Sequence, residues 1–228
     1  MKKALIILSC VVVAGLAFAT AFLLTYDRER RVTEKPVLYV YSPQEQRLTV
    51  SVDVDGAIDT AYPAPDALET TDWGTQASWT VTASPDGTLT DACGRTYPSL
   101  FWDGPVGQES PEEGFVVARE DAVPFLEEKL ALLGLTDKEA ADFITYWAPR
   151  IHANEYTFVS FDASSYTAHA RYSFTDEAGA PVEPDTFIRV FMTIRQAEAT
   201  TQVREQAFGP TPQRTGLVAV EWGGTEEQ

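Results

Sequence analysis

Acids beside indoles are the feature of this sequence best suited to chemistry. Trp102-Asp103 and Glu221-Trp222 each close an apolar stretch, and each is followed by glycine. Two carboxylates flanking one cleft can serve as general acid and as base or nucleophile on a glycosidic bond. An indole ring offers an apolar platform for a sugar face. Asp103 and Glu221 are therefore the candidate catalytic carboxylates of an envelope glycan hydrolase, and Trp102 and Trp222 are candidate ligand-binding rings. The plainer alternative packs both indoles in a core and turns both acids to solvent.

A second constellation is Tyr146-Trp147-Ala148-Pro149-Arg150, with His152 just beyond it. Cations near the end of a helix are favoured by the macrodipole. Tyr146 and Arg150 are therefore candidate ligand-binding residues for an acidic group, with helix capping as the plainer role. Arg189 stands in the apolar run Phe187-Ile188-Arg189-Val190-Phe191-Met192. Such a cation either pairs inside the sheet or projects from an edge or outer face. A buried arginine is normally paired, so a carboxylate partner is expected, and Glu221 is one candidate, which would make that acid structural.

Other chemistries find little footing. His152 and His169 are the only histidines, and neither has zinc-type spacing to cysteine or carboxylate, so no metal and no cofactor is expected. Asp53-Val54-Asp55-Gly56 opens like a calcium loop but lacks the ligand-bearing tail. No G-x-S-x-G elbow and no glycine-rich phosphate loop occurs. Cys93 sits in the turn Asp91-Ala92-Cys93-Gly94-Arg95, with no His or Lys near it in sequence to suggest an activated thiol.

The elements that must position these residues read mainly as strands. Val37-Leu38-Tyr39-Val40-Tyr41 begins the fold, and Leu48, Val50, Val52 and Val54 alternate with polar residues, which is the pattern of a sheet with one wet face. Asp55-Gly56 predicts a two-residue hairpin turn with Ala57 to Tyr62 as the return strand. Pro63 to Gly74 reads as a loop, Ser78 to Thr82 as a strand, and Asp86-Gly87 as a second hairpin turn. Thr96 to Trp102 predicts an aromatic strand, followed by a polar loop from Asp103 to Gly114.

From Asp121 the apolar period becomes helical. Val123, Phe125, Leu126, Leu130 and Leu133 share a stripe that ends at Gly134, a C-cap signal. Thr136-x-x-Glu139 is a capping box, and Ala140, Phe143, Ile144 and Trp147 form a second stripe that Pro149 should stop. Strands resume at Tyr156 to Asp162, Tyr166 to Phe174, Thr186 to Arg195 and Gly216 to Trp222. The sum is an α+β domain, mainly antiparallel and sandwich-like, of about ten short strands with an inserted helical hairpin.

The N-terminus addresses a different question. Ala4 to Leu24 carries no charge, Lys2-Lys3 precede it, and Asp27 to Arg31 stop it. A helix of this length covers the roughly 30 Å hydrocarbon core of a bilayer. Residues 1–26 thus read as a membrane anchor or signal segment, 27–36 as a linker, and 37–228 as a single extracytoplasmic domain. Ala17-Phe18-Ala19 and Ala19-Thr20-Ala21 loosely fit a cleavage site, which would release the body, but Phe22-Leu23-Leu24 carries the apolar run past either cut and favours retention. A lipidated Cys10 would leave too short an apolar stretch ahead of it. Basic residues flank both ends of the run. The early lysine pair and the α-amine favour placing the C-terminal body outside the cell membrane.

Composition narrows the partners. Hydrophobic residues make up 44% and aromatic residues 11%, enough to build a core. Beyond Lys2 and Lys3 there are 15 basic against 34 acidic residues, a formal charge of −19. Such a body repels phosphate backbones, which argues against nucleic-acid binding.

Five phrases carry a resemblance: Lys35-Pro36-Val37-Leu38-Tyr39-Val40-Tyr41, Pro85-Asp86-Gly87-Thr88-Leu89, Leu100-Phe101-Trp102-Asp103-Gly104, Phe143-Ile144-Thr145-Tyr146-Trp147-Ala148-Pro149-Arg150 and Val220-Glu221-Trp222-Gly223-Gly224. Together they resemble an uncharacterised family of bacterial proteins, which carries Glu where Asp103 stands and Leu where Ala148 stands. The resemblance spans nearly the whole body and so implies one domain; it implies no activity, substrate or cofactor. The leading expectation is a membrane-tethered binding module for a protein or cell-envelope component such as a glycan, with the hydrolase as alternative. A reporter fused after Gln228 is expected to be active only outside the cytoplasm. Activity confined to the cytoplasm would reverse the placement.

Overall fold

The computed structural model describes residues 30–107 and 109–227. The apolar segment read as an anchor lies outside the described residues. Among those described, no helix is long and apolar enough to cross a membrane. The first half supplies β1 (Arg30–Tyr41), β2 (Gln46–Val54), β3 (Thr60–Tyr62), β4 (Ala67–Thr70), β5 (Thr75–Ala83), β6 (Leu89–Thr90), β7 (Thr96–Tyr97), β8 (Leu100–Gly107) and β9 (Glu113–Ala118). A 3₁₀ turn at Arg119–Asp121 leads into helices α1 (Ala122–Leu132) and α2 (Asp137–Ile151). Then come β10 (Tyr156–Ser160), the short helix α3 (Ser164–His169), β11 (Ala170–Asp176), β12 (Thr186–Ala197), β13 (Arg204–Glu205) and β14 (Val218–Glu227).

The strands form two sheets. The larger runs β13-β9-β10-β12-β14-β1-β8-β3, and the smaller runs β11-β2-β5-β6-β7 with β4 beside β5. Pairing is antiparallel except for β12 with β14 and β13 with β9. With 46% strand and 18% helix, the architecture is the expected mainly antiparallel α+β sandwich carrying a helical hairpin. It has three layers: the small sheet, the large sheet and the hairpin.

Side-chain alternation decides the layers. On β2, Leu48, Val50, Val52 and Val54 all point inward, while Thr49 and Ser51 form hydroxyl pairs with Thr80 and Ser78 of β5 on the wet face. The facing residues of the large sheet are Leu38, Val40, Leu100, Trp102, Phe191 and Ala219. The opposite face of that sheet presents Val37, Tyr39, Val159, Ile188, Val190, Val220 and Trp222 to the hairpin's Leu126, Leu130, Phe143 and Trp147. Local helix signals hold. Leu135 N donates to Leu130 O and Gly134 N to Ala131 O, with Gly134 at φ +90°, the pattern of a Schellman ending. Thr136 and Glu139 complete their capping box.

Several expectations are corrected. Asp55-Gly56 is not a hairpin turn, and neither residue has a positive φ. β2 pairs with β5 and β11, and of Ala57 to Tyr62 only Thr60–Tyr62 is strand, joined to β8 of the other sheet. Gly56 is needed for close approach instead, since a Cβ there would lie 2.0 Å from Pro105 O. Residues 30–36, read as linker, belong to β1, and the loop expected from Asp103 gives way to β8 as far as Gly107. The loop expected from Pro63 to Gly74 contains β4, and the expected aromatic strand is split into β7 and β8. Pro149 does not end α2. His152 N bonds Ala148 O at 2.9 Å, and the fully buried Ile151 holds the last turn despite the lost proline N–H. Tyr166 lies in α3 and not at the start of a strand.

Glu139 is fully buried and takes both Arg214 Nη atoms, the Tyr41 hydroxyl and the Thr136 amide. Burial pushes its carboxyl up, but Arg214 and these donors outweigh it and hold it below its ordinary 4.5. Its contribution to stability is therefore present above that value and is lost as pH falls through the depressed one. Arg214→Ala strands the acid and should cost about 3–5 kcal/mol, read as a lower urea midpoint at neutral pH. The deficit should shrink as pH falls below the ordinary carboxylate value.

Candidate functional site

β1 is irregular where the two layers meet. Its register against both β14 and β8 shifts before Val37, and Lys35 stands at φ +53°. A non-glycine residue seldom adopts that conformation, and the residue before a proline ordinarily stays extended. Lys35 therefore stores backbone strain, and residues of this kind cluster where a protein binds or reacts. The neighbouring strand is shaped to fit. A Cβ on Gly223 would come within 3.1 Å of Pro36 Cα, and one on Gly224 would lie 2.4 Å from Met192 O and 2.6 Å from the Trp147 ring.

The strained turn delivers Lys35 to aromatic faces. Its Nζ lies 4.7 Å from the Tyr146 ring centre and 5.7 Å from that of Trp222. From α2, the Arg150 guanidinium stacks 3.8 Å from the same Tyr146 ring. Glu34 links the group: its Oε2 accepts from the Tyr146 hydroxyl at 2.9 Å and pairs with Arg150 Nε at 3.2 Å. Arg150 Nη1 also donates to Tyr146 O, one turn back on the same helix. Each cation over a ring at such a half-exposed site is worth about 0.5–1 kcal/mol. Burial, then the hydrogen bond and charge of Glu34, push the Tyr146 phenol up to about 12.

α2 reaches this position through tyrosines of β1. The Tyr39 hydroxyl donates to Asp142 at 2.8 Å and the Tyr41 hydroxyl to Glu139 at 2.7 Å. With Tyr146 to Glu34, these bonds run the helix antiparallel to the strand. Burial followed by the facing carboxylates raises both phenols well above their ordinary range.

The proposed acids do not meet. β8 turns Leu100, Trp102 and Val106 toward the small sheet, so Asp103 projects on the hairpin side, close enough to Tyr146 and Glu34 to feel their charges. Glu221 lies on the other face, between Val220 and Trp222 of the hairpin-side core. The large sheet separates the two carboxylates, so they cannot address one sugar from one cleft. Glu221 is 1% exposed and accepts from Tyr166 OH at 2.6 Å and Arg189 Nε at 2.6 Å. The expected Arg189 partnership is thus present, and Arg189 Nη1 also donates to Ala170 O. Burial and the Glu221 charge hold the Tyr166 phenol well above its usual range.

Of the four candidate ligand-binding residues, Tyr146 and Arg150 come together with Trp222 beneath Lys35. Trp222 is itself fully buried, and Trp102 is a core residue whose Nε1 donates to Tyr172 OH at 2.8 Å. Neither indole is an open platform. Glu34 and Lys35 were missed because a charged pair before proline reads locally as a linker. Comparison with protein-family models, curated proteins and solved structures returned no match.

Burial raises Asp103 above its ordinary carboxylate value, with Asp59 and Glu34 adding to the rise and Thr60 opposing it. For a carboxyl raised in the folded state, stability is greatest in acid and is lost as pH rises through the folded value. Asp103→Asn should therefore raise Tm at neutral pH, and the gain should shrink as pH falls through the raised value and vanish below the ordinary one. A lower Tm at neutral pH would show that ionised Asp103 is held by favourable contacts.

Proposed function

We propose that this chain is a membrane-tethered, extracytoplasmic binding module that engages a protein or cell-envelope component through the face around Lys35, Tyr146 and Arg150. The observation that carries the proposal is Lys35 itself, held at φ +53° with its ammonium over the Tyr146 ring. Strain of about 1–3 kcal/mol at one residue persists only where the surrounding structure enforces it. Around it Pro36 packs closely on Gly223, and the Lys35 ammonium lies over the rings of Tyr146 and Trp222.

The chemistry of the face is that of recognition. It offers two cations, an aromatic ring and the Glu34 carboxylate within one half-exposed group. A ligand carboxylate or phosphate could take Arg150 in a forked pair, while an apolar or sugar surface could lie against Tyr146. The uncharged N-terminal run supports tethering, and the −19 body supports partners other than nucleic acid.

The test is capture from solubilised cell envelope, alongside a glycan array, using the full chain in detergent. Lys35→Ala with Arg150→Ala should weaken capture at least about tenfold, equivalent to ~1.4 kcal/mol, with the circular dichroism spectrum retained. Undiminished capture by the folded double variant would remove this face from the function.

A further inference from the structure

A second site lies away from the Lys35 face, at the end of the large sheet. The segment Glu109 to Glu113, the turn at Asp162 to Ser165, and β13 enclose a hollow of about 340 Å³. Four carboxylates line it: Glu109, Glu112, Glu113 and Asp162. One guanidinium, Arg204, also lines it and pairs with Glu113 at 2.6 Å. The rim therefore keeps a net negative charge after its own cation is matched.

Ser160 marks the floor. It lines the hollow and is 0% exposed, and among the described residues its Oγ has no hydrogen-bond partner. Val159 and Phe161 belong to the hairpin-side core, so Ser160 projects from the opposite face of β10. That is the side on which α3 lies, since its Tyr166 packs between the sheets. An unpaired buried hydroxyl is costly, so it is a place where a hydrogen-bond partner is wanted, and a donor can serve as one. The acids are spread around the rim, and no three His, Cys, Asp or Glu among the described residues gather closely enough to hold a metal ion. A wider group with several N–H donors suits this spacing better.

We infer that this hollow takes a cationic side chain, lysine or arginine, of a partner protein. The ammonium or guanidinium enters between Glu109, Glu112 and Asp162 and directs a donor toward Ser160. Among the described residues no aromatic ring lines it, which argues against a sugar in this place. The inference stands independently of the Lys35 face, because the two sites share no residue.

The probe is a fluorescein-labelled hexalysine peptide, titrated by anisotropy into the full chain in detergent at 0.15 M salt. Glu109→Gln with Glu112→Gln should weaken binding about tenfold or more. Glu177→Gln with Glu183→Gln removes the same charge elsewhere and should change it little. Ser160→Ala should weaken binding several-fold while leaving Tm unchanged or higher, because it deletes a group with no partner in the free protein. Equal losses in the two charge variants would mean a diffuse field and overturn the site, as would wild-type affinity in Ser160→Ala. Lys35→Ala with Arg150→Ala should bind the peptide normally, which separates failure here from failure of the first face.

Discussion

β14 buries eight consecutive residues, Val218 to Thr225, and a strand of that kind must be covered on both faces. This constraint organises the molecule. The large sheet cannot be half of a simple two-layer sandwich with a wet outer side, because β1, β12 and β14 present apolar residues in both directions. The small sheet covers one face and the helical hairpin the other. The small sheet itself needs only one dry side, and its alternation of apolar and hydroxyl residues shows it.

The buried carboxylates of these layers are paired across long sequence separations. In the layer between the sheets, Arg189 and Glu221 face each other across the parallel β12–β14 pair, with Tyr166 supplying a further donor. In the hairpin layer, Glu139 collects Arg214, Tyr41 and its own helix cap. Buried ion pairs are poor sources of net stability but are costly to break. Each instead penalises arrangements that leave one member alone, and so helps to fix how α3 and α2 dock.

The candidate binding face grows out of the same arrangement. β1 lies between the two layers and is bound to α2 by its tyrosines. Where its register slips, Lys35 is forced into a left-handed conformation and its ammonium settles on rings from α2 and β14. Glycine at positions 223 and 224 lets Pro36 and Trp147 approach the sheet. The acids and indoles that looked catalytic are distributed by alternation instead. Asp103 goes to one side of the sheet, Glu221 goes to the other, and both indoles are buried.

Much of the local structure was legible in the residues themselves. The alternation of Leu48 to Val54, the capping box at Thr136 and the Gly134 ending depend on neighbours within a few positions, and such signals survive folding. The turn at Asp86-Gly87 was legible for the same reason, and Gly87 does take a positive φ. Pro149 and Asp55-Gly56 misled because tertiary contacts, the burial of Ile151 and the approach of Pro105, outweighed the local preference. The expectation that Arg189 pairs with an acid also followed from the sequence, since a guanidinium within an apolar strand is normally paired when buried. Which residues face one another did not. Tyr146 meets Glu34 across 112 positions, Arg214 meets Glu139 across 75, and Tyr166 meets Glu221 across 55. Those meetings follow from strand order and layer stacking, properties of the packed whole, and only the tertiary structure decided that the strained lysine would join Tyr146 and Arg150 while the two acids part to opposite sides of the sheet.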